Sequence, residues 1–211
     1  MLLRVLFLLL ALGVTLEATL AASQTHQEFR SKLAAAGFKR TQHRVVYDPA
    51  YVSIAYPNGD VPEGTGVCTD VIIRAYRALG IDLQKLVHED MKRNFSKYPK
   101  IWGLSRPDTN IDHRRVPNLQ TFFKRQGASL PVTQNPKDYQ PGDLITWNLH
   151  FASGSVLPHI GMVTDQRSAD GKRYLVVHNI GRGPELEDIL LDLPMGGGRA
   201  KKTGHYSVIR S

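Results

Sequence analysis

A single cysteine, Cys68, occurs in the 211 residues of this chain. An internal disulfide is therefore impossible, and the one thiol must be an inert buried residue, an intermolecular bridge or a nucleophile. Long apolar runs are also scarce. Val5 to Val14 is unbroken, but Glu17 stops the pattern short of the roughly 20 residues a spanning helix needs. The compact Cys and His spacings that mark zinc sites are missing, and no repeat or low-complexity linker divides the chain. Basic residues are not interleaved with aromatics in a stripe, which argues against nucleic acid. No metal or other cofactor is expected.

Several features point to export. Arg4, the apolar run behind it and the small residues Ala18 to Ala22 read as a signal peptide over 1–22. Its removal leaves one domain over 23–211, expected to be soluble, monomeric and periplasmic or secreted, with no transmembrane segment. Lys and Arg total 27 against 19 Asp and Glu, a net charge of +8. The excess is scattered in short groups such as Lys39-Arg40, Arg114-Arg115 and Arg199 to Lys202. In an exported protein such a surface favours an anionic envelope partner, peptidoglycan above all, because a field of one sign concentrates counter-ions.

Cys68 follows a stretch of turn chemistry, Pro57 to Gly66, and precedes Val71, Ile72, Ala75 and Leu79 at helical spacing, with Gly80 as a C-terminal cap. The thiol thus opens a helix, where the macrodipole favours thiolate and lowers the pKa. Two of the eight histidines lie in strand-like settings downstream. His159 opens Pro158 to Thr164, and His178 ends Tyr174 to His178. Asp170-Gly171 between them signals a hairpin, so the two imidazoles should approach each other at one end of an antiparallel pair. A nucleophile, a base and an orienting residue are then Cys68, His159 and His178.

Other elements read as follows. A helix is expected over Gln24 to Ala36, ended by Gly37, then strands over Arg44 to Tyr47 and Tyr51 to Ala55. Amphipathic helices follow over Leu83 to Phe95 and Val116 to Gln126, the second started by Pro117 and stopped by Gly127. Strands near Asp143 to Asn148, His159 to Thr164, Tyr174 to His178, Ile189 to Leu193 and Tyr206 to Arg210 complete an α+β fold, with a mobile loop expected over Gly196 to Lys202.

Three segments in order, Gly66-Val67-Cys68-Thr69-Asp70, Pro141-Gly142-Asp143-Leu144-Ile145-Thr146-Trp147 and Pro158-His159-Ile160-Gly161-Met162-Val163, resemble the core of the NlpC-type papain-like cysteine hydrolases. The resemblance implies a papain-like fold, its nucleophile helix packed on a C-terminal antiparallel sheet. It also implies amidase or endopeptidase chemistry on peptidoglycan peptides. Over most of the chain, including Asp108 to Arg115 and His178 to Gly181, the sequence resembles an exported bacterial family called a domain of unknown function. Val67 replaces the acidic residue that cell-wall peptidases carry before the nucleophile. The candidate substrate-binding residues are Asp70, Asn110, His113 and Arg114, with Tyr56 as a possible oxyanion donor. Two alternatives use the same fold: a non-catalytic wall- or partner-binding module, and an acyltransferase or lipid hydrolase with the same triad.

Overall fold

The computed structural model describes residues 23–195 and 198–210. The expected signal peptide lies outside the described residues, as do Gly196 and Gly197. The fold is mixed α+β. Four helices, α1 over residues 23–39, α2 (Cys68–Ala78), α3 (Leu83–Arg93) and α4 (Val116–Arg125), precede most of the strands. A short parallel pair, β1 (Val46–Tyr47) and β2 (Thr65–Gly66), leads into α2. Six strands form one antiparallel sheet: β3 (Ser129–Leu130), β4 (Leu144–His150), β5 (Val156–Arg167), β6 (Tyr174–Asn179), β7 (Pro184–Glu187) and β8 (Arg199–Tyr206). Their order is β3-β8-β4-β5-β6-β7.

Period-two alternation splits the sheet residues between two cores. Leu144, Ile160, Met162 and Val177 face the helices and pack with Val71, Ile72, Leu119 and Phe123. Ile145, Trp147, Val163 and Val176 face the other way, against Tyr139, Ile189, Leu190 and Leu193. The helix caps follow local chemistry. Asp82 accepts from Lys85 N at 3.2 Å to start α3, and Gly80 and Gly127, both at positive φ, follow the ends of α2 and α4.

Gly37 does not end α1, which runs on to residue 39. Its role is close approach: a Cβ there would lie 2.7 Å from Met162 Sδ and 3.3 Å from Val177 Cγ1. Tyr51 to Ala55 forms no strand, and only Val46 and Tyr47 of the expected first strand are paired. Ile189 to Leu193 is likewise no strand. It crosses the sheet as an irregular strap that buries Ile189, Leu190 and Leu193. The last strand ends at Tyr206, where the sequence suggested that it begins, and takes in Arg199 to Lys202, expected as loop. A basic run of alternating exposure is compatible with a strand whose outward side chains stay in water.

Candidate active site

The site is assembled where α2, β5, β6 and β7 meet. Cys68 is the first residue of α2. Asp70, three residues into the helix counting from Val67, reaches back to accept from Val67 N at 2.6 Å and so fixes the turn that presents the thiol. Arg114 closes on Asp70 with two bonds, Nε to Oδ1 at 2.9 Å and a terminal nitrogen to Oδ2 at 3.0 Å. Thr69 Oγ1 donates to the Arg114 carbonyl. Arg74, one turn further along α2, donates to the carbonyls of Val61, Pro62, Glu63 and Thr65, holding the preceding loop against the helix.

The thiol is 5% exposed. Backbone N–H groups of Ile160, Thr69 and Cys68 itself point at the sulfur, but burial outweighs them and pushes the thiol up from 9.0 to about 12. The lowered pKa expected at a helix N-terminus is therefore overturned: desolvation of a buried thiolate exceeds what the dipole returns.

Ile160 is the residue after His159, so the sulfur meets β5 one residue along from the first histidine; among the described residues no hydrogen bond joins the sulfur to either imidazole. The register pairs Trp147 with His159 and Gly161 with His178. Both histidines consequently project from the sheet face that carries Trp147, on a diagonal across β5 and β6, whereas Cys68 packs in the core on the helix side, so thiol and imidazoles approach β5 from different sides of the sheet. His159 Nε2 lies 2.8 Å from His178 Nδ1, the rings at 83°. Gly161 lets β6 pack close at this corner, since a Cβ there would stand 2.7 Å from Val176 Cγ1 and 3.2 Å from His178 Cβ. The other ring nitrogen of His178, Nε2, lies 2.6 Å from Glu187 Oε2 on β7.

Burial is nearly complete, with His159 2% and His178 0% exposed. Desolvation, helped by the neighbouring His178, drives His159 from 6.5 down to about 3. Desolvation also lowers His178, opposed by its bond to Glu187. The resting site thus holds a neutral thiol and a neutral His159.

Proton positions follow from the carboxylate. With a carboxylate as partner, His178 donates its Nε2–H and its Nδ1 becomes an acceptor. His159 must then donate Nε2–H to it. That leaves His159 Nδ1 with a bare lone pair, the state a proton acceptor requires.

The expected substrate-binding residues are not gathered at the thiol. Asp70 and Arg114 are 2% and 6% exposed and are spent on each other and on the helix cap, so the carboxylate clasp expected of Arg114 is already filled from within the chain. His113 is buried next to that pair and is driven down to about 4, chiefly by desolvation. Asn110 lines a cavity of about 460 Å³ with Tyr51 and Asp108; it donates to Tyr51 and accepts from Ile54 N. Tyr56 stacks edge-on against His88 of α3, and its charged neighbours are Glu89 and Asp82.

Two residues that sequence reasoning passed over do reach the site. Tyr47 pairs with Gly66 in the strand just before Cys68, and its phenol is pushed up to about 12 by burial and by the nearby Cys68 and Asp70. Glu187 lies in Pro184-Glu185-Leu186-Glu187, whose alternation could have marked a strand. Among the described residues, no group of three or more His, Cys, Asp or Glu is arranged to hold a metal, and no helix is long and apolar enough to cross a membrane.

Fold and site together define a mixed α+β protein with a buried His159-His178-Glu187 chain on an antiparallel sheet, one residue along β5 from the backbone amide that meets the Cys68 sulfur at a helix N-terminus. The chain belongs to the family described as "Domain of unknown function (DUF1287)", whose pattern matches residues 34–208. It is 53% identical over 160 residues to "Uncharacterized protein YijF" of Escherichia coli (strain K12), covering 76% of this chain and 72% of that one. No solved structure matches it.

Proposed function

We propose that this protein is an exported cysteine hydrolase of the NlpC-type papain-like kind, cleaving amide bonds in peptidoglycan peptides. The observation that carries the reading is the directed relay from Glu187 through His178 to His159, whose chain neighbour Ile160 turns its backbone N–H to the one thiol in the sequence. The segments around Cys68, Asp143 and His159 add the resemblance to cell-wall hydrolases, and the net charge of +8 suits an anionic wall polymer.

In this mechanism His159 Nδ1 takes the Sγ proton as sulfur attacks the carbonyl carbon of the scissile amide. Negative charge gathers on the carbonyl oxygen, where the backbone N–H groups at the start of α2 can meet it. The C–N bond then breaks, and the amine leaves with the proton that His159 carried. Water attacks the thioester, gives its proton to His159 and releases the carboxylic acid, while the thiol is restored. Deprotonation coupled to attack suits a thiol held near 12, since little free thiolate exists beforehand.

The experiment is digestion of purified peptidoglycan sacculi, with released fragments resolved by chromatography and mass spectrometry. Fragments carrying new amine and carboxyl ends, formed by the wild type and lost in Cys68→Ser and His159→Ala, are the expected result. Absence of such fragments, or release that survives Cys68→Ser, overturns it.

A further inference from the structure

Away from the thiol, at the other end of β5, the chain builds a second concavity. A cavity of about 440 Å³ lies between the start of α1, the 3-10 turn Pro136–Asp138 and the hairpin joining β5 to β6. Tyr139, 1% exposed, and Tyr174 supply ring surface, and Gln140 adds an amide. Three cations, Lys137, Arg167 and Lys172, also line it, and no carboxylate does.

The charges at this cavity are unspent. Arg173, in the same hairpin, is bound by Asp170 and Asp188. Arg167 instead lies flat over Tyr174, its guanidinium carbon 3.6 Å from the ring centroid. Arg167, Lys137 and Lys172 form no ion pair among the described residues. The nearest acids on the same turns are occupied elsewhere: Asp138 accepts from Thr133 and Asn135, and Asp170 from Ser168, Lys172 N and Arg173.

We propose that this cavity binds a phosphate group of an extended envelope molecule. Three cations without counter-charge around one concavity suit an anion of more than one unit of charge, and a phosphomonoester carries about −1.5 to −2 at neutral pH. Stacking on Tyr174 holds the Arg167 plane, presenting its N–H fork to two oxygens at once, as phosphate accepts it. A lone carboxylate would neutralise one cation and leave two. Following β5 from His159 to Arg167 covers roughly 25 Å, so the cavity is separate from the histidine pair and would anchor a ligand rather than take part in bond cleavage. The inference stands whether or not Cys68 is catalytic.

The test is NMR titration of the full mature chain with inorganic phosphate, at ionic strength held constant with sodium chloride so that general screening is matched. Saturable shifts at Arg167 Nε and the Tyr174 ring are expected. Binding should weaken at least about tenfold in Arg167→Gln and in the double variant Lys137→Gln/Lys172→Gln, both of which change exposed side chains. Cys68→Ser should bind as the wild type does. Shifts that do not saturate, or saturable shifts unchanged in both cavity variants, overturn the proposal. Two further probes separate the sources of phosphate: glucose 6-phosphate, and vesicles of phosphatidic acid, a lipid phosphomonoester, with phosphatidylcholine. Arg167-dependent binding of the sugar phosphate alone assigns a phosphorylated glycan, and Arg167-dependent vesicle binding assigns a lipid headgroup.

Discussion

His178 Nε2 lies 2.6 Å from Glu187 Oε2 on the neighbouring strand, and this one contact dictates the protonation of both histidines in the site. A third residue that orients the base is familiar logic in nucleophilic catalysis. Here the orienting residue is itself oriented, by a side chain that is 35% exposed and reachable from solvent.

Replacing that carboxylate should therefore uncouple the relay without unfolding the protein. Glu187→Ala leaves His178 free to carry its proton on either nitrogen, and the tautomer with Nδ1–H turns His159 the wrong way. Cys68-dependent hydrolysis should fall by about 10²–10³-fold, within the range attributed to general-base assistance, while the melting temperature stays near that of the wild type. An unchanged rate would remove Glu187 from the relay.

The buried thiol makes a prediction of opposite character. With Cys68 at about 12, iodoacetamide should alkylate the native protein slowly at neutral pH, and the rate should climb about tenfold per pH unit through the alkaline range. Because the folded state holds this proton more tightly than the unfolded state, stability should also decline as pH rises above 9. Fast alkylation near neutrality, read by mass spectrometry, would show that the sulfur is far less desolvated than its surroundings imply.

Acid should act through the histidines. His159 and His113 are pushed down from 6.5 to about 3 and about 4, so below 6.5 the unfolded chain binds protons that the folded chain refuses. Their contribution to stability is complete above pH 6.5 and is lost as pH falls toward 4 and then 3. Unfolding midpoints in urea, measured from pH 7 to pH 4, should fall, and the fall should be smaller by roughly 2 kcal/mol in His113→Gln. Identical pH curves for variant and wild type would contradict the burial assigned to His113.

The Asp70–Arg114 pair should be costly to break singly. Arg114→Met strands a buried carboxylate beside the start of α2 and is expected to destabilise by about 3–5 kcal/mol. Asp70→Leu combined with Arg114→Met should recover a substantial part of that loss in stability, yet not activity, because the Val67 cap that positions Cys68 goes with Asp70. Chemical denaturation of the single and double variants, alongside the sacculus assay, separates the two effects.

Helix starts and stops were legible because they are local: Cys68, Pro117, Gly80 and Gly127 act within one turn of chain. The hairpin at Asp170-Gly171 was legible for the same reason, and it brought His159 and His178 together on paper. What could not be read is non-local. Gly37 looks like a helix end in sequence and is a packing contact with Met162, a residue far along the chain. Ile189 to Leu193 has the apolar content of a strand, yet it serves as cover for one already formed. Arg114 looks like a hand held out to substrate, and only the fold reveals that Asp70 has taken it. Glu187 escaped because a four-residue strand leaves little periodic signal, and its importance comes from a diagonal neighbour on another strand.

The position of β8 carries a consequence for how the protein comes into being. Although it is the last strand in the sequence, it lies inside the sheet, between β3 and β4. A chain growing from its N-terminus can form α2 and the β5–β6 hairpin before β8 exists, but β3 has no neighbour and β4 keeps one open side until Arg199 to Tyr206 arrive. The sheet of the nascent protein thus stays open until β8 has been made, as long-range pairing dictates, and then closes around that strand.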